Sequence, residues 1–160
     1  MNEEVKVGIA DMKLLEKEGS LITYALGSCI GISFYDPQIK LASLLHILLP
    51  EAQNLSETQV YKFADTGIRK TLKELQLKGG NKRRYLCKLA GGAEMFKLSG
   101  NSPVANIGQR NLESVCHILR QEGIYIAAQE VGGNIARTMI LEAETGVVRI
   151  RTHGVDEILI

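Results

Sequence analysis

The segment Thr23-Tyr24-Ala25-Leu26-Gly27-Ser28-Cys29 sets a thiol just past a Gly-Ser turn between two apolar runs. A lone histidine, His46, interrupts the next apolar run, Leu41 to Leu49. A thiol nucleophile, an imidazole base and a hydroxyl neighbour are the parts of a cysteine hydrolase that attacks an amide or ester carbonyl. A free thiol titrates near ~8.5, so only a minority is thiolate at neutral pH. A nearby imidazole can accept the proton and leave a thiolate–imidazolium pair. Gly27 permits a bend that presents the sulfur outward, and the N–H of Cys29 is a candidate donor to a developing oxyanion. His46 must be held in one tautomer to act as a base, and Thr23, one strand away, can supply the oxygen that holds it. Spacing alone leaves a second reading open. Cys29 can be a small buried hydrophobe, His46 a core histidine satisfied by one backbone bond, and Thr23 a residue chosen for β-propensity.

The elements that must position these residues read as strands with two helices. Val5 to Ile9 is a first strand, while Asp11 to Gly19 holds good helix formers and stays ambiguous. Leu21 to Leu26 and Ile30 to Tyr35 read as strands meeting at a sharp bend, with Gly27 between them. Asp36-Pro37 is a turn signal, and Leu41 to Leu49 is a third strand stopped by Pro50, apolar enough to be buried on both faces. Residues 51–60 are polar and looped. Tyr61, Ala64, Ile68, Leu72 and Leu75 recur at helical spacing, and Gly79-Gly80 closes that helix. Tyr85 to Leu89 is a strand leading into Gly91-Gly92, and a loop with Gly100 and Pro103 follows. Leu112, Val115, Cys116 and Leu119 mark a second helix ending near Gly123. Ile124 to Ala128 is a strand, and Ile135 to Ala143 and Val147 to Thr152 form a hairpin turned by Glu144-Thr145-Gly146. Many strands with two helices indicate an α+β fold, with residues 1–160 as one domain.

Composition narrows the classes. The 160 residues carry a net charge of +1, which removes any whole-protein argument for nucleic acid or a membrane surface. Three cysteines, Cys29, Cys87 and Cys116, do not make a disulfide framework and suit a reducing compartment. The charged start, Met-Asn-Glu-Glu-Val-Lys, lacks the apolar core of a signal peptide, and the longest apolar run is too short to span a bilayer. The expectation is a soluble cytoplasmic protein with no membrane insertion. Cys87 and Cys116 read as core residues, His117 as solvated, and His153 as a loop residue without a partner. Adjacent Cys116 and His117 point differently from a helix, so no metal site is expected, nor any organic cofactor. From Arg69 to Lys88 only Glu74 is acidic, and Lys82, Arg83 and Arg84 are consecutive. This stretch is either a solvated face or a patch that draws an acidic helix. Gly91 and Gly92 either let backbone approach a substrate chain or simply make a bend.

Several further motifs, taken with these, carry a resemblance. Leu26-Gly27-Ser28-Cys29, Asp36-Pro37, and His46 with Leu49-Pro50 are joined by Tyr61-Lys62-Phe63-Ala64-Asp65-Thr66 and by Ala90-Gly91-Gly92-Ala93 with Met95-Phe96. Asn106-Ile107-Gly108 with Arg110-Asn111, Gly132-Gly133-Asn134 with Ala136-Arg137, and Glu144-Thr145-Gly146 continue the series along nearly the whole chain. The sequence resembles the CheD family of chemoreceptor glutamine deamidases. The resemblance implies hydrolysis of glutamine side chains to glutamate on the cytoplasmic helices of bacterial chemoreceptors. It also implies Cys29 as nucleophile, His46 as base and Thr23 as the third member. Gly27 and Ser28, beside the nucleophile, and Gly91 and Gly92 are the expected substrate contacts. The implied fold is a layered sandwich of mixed β-sheet with flanking helices, similar to the deamidase domain of the cytotoxic necrotizing factor toxins. Some family members also bind a CheC-type phosphatase of the response regulator, and receptor methylesterase activity has been attributed to the family. The loop from Lys97 to Ala105 is longer than the family pattern. Two other classes remain beside the deamidase: a binding module that regulates such a phosphatase, and a thiol redox sensor at Cys29.

Overall fold

The computed structural model describes residues 3–54, 58–96 and 105–160. Its strands, in chain order with the helices, are β1 (Glu4–Lys6), β2 (Asp11–Glu16), β3 (Ser20–Leu26), β4 (Ile30–Asp36), β5 (Leu41–Ile47), α1 (Ala64–Leu77), β6 (Leu86–Gly91), α2 (Ile107–Gln121), β7 (Ile126–Val131), β8 (Arg137–Glu142), β9 (Val148–Thr152) and β10 (Val155–Leu159). Short 3-10 turns at Val60–Lys62 and Lys82–Arg84 precede α1 and β6. One five-stranded sheet has the order β1-β3-β8-β9-β10, and a second has the order β2-β5-β4-β6-β7. Each is mixed: β1 runs parallel to β3, and β7 parallel to β6, while their other neighbours are antiparallel.

The near-continuous apolarity of β4 and β5 has its cause in this layering. Both strands are buried along their whole length because each face has a cover. On one face Ile30, Ile32, Phe34, Leu45 and Ile47 pack with Ile68 and Leu75 of α1 and with Val115 and Leu119 of α2. On the other, Tyr35, Ala42 and Leu44 meet Leu21 of β3, Met139 and Leu141 of β8, and Val148 and Ile150 of β9. The result is an α+β sandwich of sheet, sheet and helices. The histidine of β5 falls on the face between the sheets, since His46 shares the side of Ala42 and Leu44.

The structure departs from the sequence expectations at several elements, beginning with the first strand, which ends at Lys6 rather than Ile9 because the chain turns at Ile9-Ala10, where Ala10 has a left-handed φ of 59°. The ambiguous Asp11–Gly19 segment contains a strand. β2 pairs residue by residue with β5, from Asp11 opposite His46 to Glu16 opposite Leu41, and that partner outweighs its helix propensity. β5 ends at Ile47, two residues short of Leu49, because Leu48 and Leu49 turn away and both donate their N–H to the Lys62 carbonyl, at 2.8 and 3.0 Å. β7 starts at Ile126 rather than Ile124, whose N–H instead closes the end of α2 on the Leu119 carbonyl at 2.9 Å. β10 follows the turn at Gly154 and pairs with β9 at the sheet edge, where its exposed residues give no alternating signal. The expected loop at Gly100 and Pro103, and most of Lys97 to Ala105, lie outside the described residues.

Candidate active site

The bend between β3 and β4 does more than reverse the chain, because the two strands belong to different sheets. Two local features make the crossing. The β3–β8 register shifts between Thr23 and Leu26, and Ala25 inside that bulge has a left-handed φ of 55°. Gly27 donates its N–H to the Ala25 carbonyl at 2.9 Å, which tightens the bend. Cys29 emerges at the start of β4, buried at 7% exposure. Gly31 of β4 lies opposite His46 of β5. Cys29 belongs to the buried cluster between the sheets, with Ala42 and Leu44 from the His46 side of β5. Gly31 adds no side chain of its own there; Met139 Sδ and Leu26 Cδ1 occupy the space where its Cβ would lie, at 2.8 and 3.0 Å.

Thr23 reaches the same layer from the facing sheet. Its Oγ1 lies 2.7 Å from His46 Nδ1 and donates to the Val7 carbonyl at 2.8 Å. A hydroxyl has one proton, so with that proton on Val7 the oxygen must accept from Nδ1–H. The proton of the neutral imidazole therefore sits on Nδ1, and Nε2 carries the lone pair. Nε2 is buried and has no hydrogen-bond partner among the described residues. Burial pushes the His46 pKa down from 6.5 to about 4, against the upward pull of the Asp11 carboxylate on the adjoining strand. Burial also raises the Cys29 thiol, and the backbone N–H of Cys29 itself opposes that rise. In the free protein the thiol and imidazole are both favoured in their neutral forms, in contrast to the ion pair expected from the sequence. The low-dielectric layer between the sheets disfavours separated charge.

The carbonyls around Cys29 are fixed in succession. Gly27 C=O accepts from Ala93 N–H at 2.8 Å, Ser28 C=O from Asn111 Nδ2 at 2.9 Å, and Cys29 C=O from Gly92 N–H at 2.9 Å. Gly91 has a φ of 107°, and a Cβ there would run into the Cys29 carbonyl oxygen. The close backbone approach at Gly91 is thus to the cysteine segment of this chain. Gly91 C=O in turn accepts from the buried Arg137 Nη1 at 3.2 Å. Ser28 lines an open groove of ≈ 310 Å³ with Ala93, Met95, Phe96, Ile107 and Gly108. Phe96 is 77% exposed, and Met95 rests on Gly27. Gly92 lines a neighbouring groove of ≈ 260 Å³ with Glu94, Asn106 and Gly133.

The other sequence candidates lie apart. Cys87 is fully buried in the helix-side core, with its thiol pushed beyond the ordinary range, and Cys116 packs against that core. His117 and His153 are exposed. Several residues of the basic stretch are paired within the fold: Arg84 with Asp36 at the far end of β4, Arg69 and Lys82 with Glu122, and Lys70 with Glu74. Among the described residues no group of three His, Cys, Asp or Glu side chains could hold a metal ion, and no helix is long and apolar enough to cross a membrane. Asp11 and Asn111 were not read from the sequence as site residues. Asp11 shows in the chain only as a polar residue within an apolar pattern, while Asn111 stands in one of the motifs that carry the family resemblance, with no role attached to it.

Residues 48–152 match the family described as CheD, chemotactic sensory transduction. A chain from Desulforamulus reducens is 48% identical over 154 residues, covering 96% of this chain and 93% of its own. The chain belongs to the CheD family. The family match begins after His46, but similarity to whole CheD chains extends further. A Clostridium botulinum chain (strain Alaska E43) is 47% identical over 96% of both chains, and a Syntrophomonas wolfei chain is 44% identical over 100% of both. All three relatives carry the name probable chemoreceptor glutamine deamidase CheD. Coverage this complete takes in the CheD segment from Thr23 to His46, where the candidate site lies.

Proposed function

We propose that this protein deamidates glutamine side chains on the cytoplasmic helices of chemoreceptors, with Cys29 as nucleophile, His46 as base and Thr23 as the group that orients it. The observation that carries the reading is the 2.7 Å contact between Thr23 Oγ1 and His46 Nδ1, backed by the Val7 carbonyl, which leaves Nε2 as a base with no partner among the described residues, on the cysteine face. Family membership and the names of the relatives supply the substrate class.

The chemistry follows from the tautomer. As the sulfur attacks the glutamine side-chain carbonyl, the thiol proton passes to His46 Nε2, so charge develops only as the S–C bond forms. The oxyanion is met by the Cys29 N–H. Collapse breaks the C–N bond, and the proton on Nε2 leaves with ammonia. Water then attacks the thioester while giving a proton to Nε2, and C–S cleavage returns a proton to the sulfur. The net reaction is glutamine plus water to glutamate plus ammonia. An ester carbonyl would follow the same path with an alcohol as leaving group, which accommodates receptor methylesterase activity. The exposed Met95 and Phe96 beside Ser28 offer an apolar seat for a receptor helix.

The test is mass spectrometry of a receptor cytoplasmic fragment incubated with wild type, Cys29→Ala or His46→Ala. Conversion of glutamine to glutamate by wild type alone supports the proposal. Conversion by Cys29→Ala overturns it. No conversion at all, with tight binding to a CheC-type phosphatase, favours the regulatory binding module instead.

A further inference from the structure

Asn111 is on the buried side of α2, fully excluded from solvent, and far in sequence from every residue discussed as reactive. Its Nδ2 donates twice, to the Ser28 carbonyl at 2.9 Å and to the Leu48 carbonyl at 3.0 Å. One side-chain amide thus joins the segment that carries Cys29 to the residue just past the strand that carries His46. The same helix reaches the next turn of that segment through Ser114 Oγ, which donates to the Pro50 carbonyl at 2.6 Å. Its first turn presses on the loop after β6, where Gly108 leaves no room for a Cβ against Gly92 and Ala93.

The peptide plane gives the Ser28 contact its consequence. Ser28 C=O and Cys29 N–H belong to one planar trans amide, so fixing the oxygen fixes the opposite direction of the N–H. The carbonyls on either side, of Gly27 and Cys29, are held by backbone N–H groups of Ala93 and Gly92. The middle one, whose amide carries the Cys29 N–H, is held by the Asn111 side chain. That N–H is also the group that favours the thiolate at Cys29.

We propose that Asn111 is a positioning residue for the reaction: it sets the plane of the Ser28–Cys29 peptide, aims the Cys29 N–H at the oxyanion, and holds the cysteine and histidine segments in register. The proposal rests on Cys29 and His46 being the reacting pair. Asn111 Oδ1 is buried without a partner among the described residues, so the amide is kept for its two donors and not for full satisfaction of its own atoms.

The test uses Asn111→Leu, close in volume and unable to donate, in the full-length protein. The readouts are kcat and KM for deamidation of a receptor cytoplasmic fragment, and the pH dependence of Cys29 alkylation by iodoacetamide. Loss of an oxyanion donor costs ~10²–10³-fold, and a misaimed one is expected to cost about 10–10²-fold in kcat with KM nearly unchanged. The alkylation profile should move to higher pH, since the thiolate loses its N–H partner. Overturning results are a folded Asn111→Leu protein with wild-type kcat, or a loss that matches the unfolded fraction with the alkylation profile unmoved. Where Asn111→Leu does not fold, Asn111→Ser decides on the same readouts: its single hydroxyl cannot hold both carbonyls, and wild-type values for both overturn the clamp. Deamidation by a Cys29→Ala control would instead sink the assignment of the nucleophile, while the alkylation profile still reports on Asn111.

Discussion

At the scale of single residues, the proposed mechanism depends on a protonation pattern set by burial and by one hydroxyl. His46 is neutral above a pKa of about 4, so the acid limb of kcat/KM should fall near that value rather than near the ordinary 6.5. A limb at the ordinary imidazole value would contradict the buried geometry. The same shift couples to stability. Between about 4 and 6.5 the unfolded chain binds a proton at this histidine that the folded chain refuses, so stability falls as pH falls through that window. The loss is on the order of 3 kcal/mol and levels off below the folded pKa. His46→Gln should flatten that part of a denaturant-midpoint versus pH plot. Thr23 supplies a second test. Thr23→Val keeps the shape but removes the acceptor for Nδ1–H and the donor to Val7, and should lower kcat by about 10–10²-fold. Thr23→Ser keeps the hydroxyl and should recover most of the loss. Equal kcat values for the two variants would show that the hydroxyl has no part in the reaction.

At the scale of elements, the site is made where β3 leaves one sheet and β4 enters the other. Ala25 adopts a left-handed backbone in the bulge there, a conformation that costs a residue with a Cβ roughly 1–2 kcal/mol. Ala25→Gly should therefore leave stability unchanged or raise it by up to ~1 kcal/mol in chemical denaturation, the gain offset by a looser unfolded chain. Gly91→Ala should be destabilising by several-fold more than that, since its Cβ meets the Cys29 carbonyl and its φ is 107°. A Gly91→Ala protein of wild-type stability would contradict the packing of that turn. Much of this arrangement was legible in the chain. Gly27-Ser28-Cys29 between two β-branched runs announces a turn with a thiol, and a histidine inside Leu41 to Leu49 announces a buried imidazole. What the chain conceals is pairing at a distance. β2 looks helical until its partner β5 is known, and the order of the sheets decides that Thr23 faces His46 across a layer. Asn111 is a polar interruption of a helix stripe, and its meaning depends on two carbonyls that only the folded chain brings to it.

At the scale of the whole molecule, the end of the central sheet that carries the proposed site is separated from an ion pair that pins the other end. Asp36, fully buried at the end of β4, receives two bonds from Arg84 Nε at 2.8 and 3.0 Å and one from Nη2 at 2.7 Å, and also accepts from the N–H groups of Asn81 and Gln38. Burial alone would raise its pKa, but Arg84 and those N–H groups prevail and hold the carboxyl below its ordinary range. Arg84→Met strands a buried carboxylate and should cost ~3–5 kcal/mol of unfolding free energy. Activity per folded molecule should stay at the wild-type level, because the pair lies at the end of β4 away from Cys29. A smaller stability loss would mean that the N–H donors suffice. Part of the basic stretch from Arg69 to Lys88 is thereby tied to partners within the fold, and the face beside Ser28 is left as the surface closest to the chemistry.

The covalent step is read most directly from the intact mass of the protein, quenched in acid during incubation with a glutamine-containing receptor peptide. The expected result is a covalent species equal to protein plus peptide less one ammonia, mapped to Cys29 and absent from Cys29→Ala. Glutamate formation at the wild-type rate by Cys29→Ala, with no such species, would contradict it.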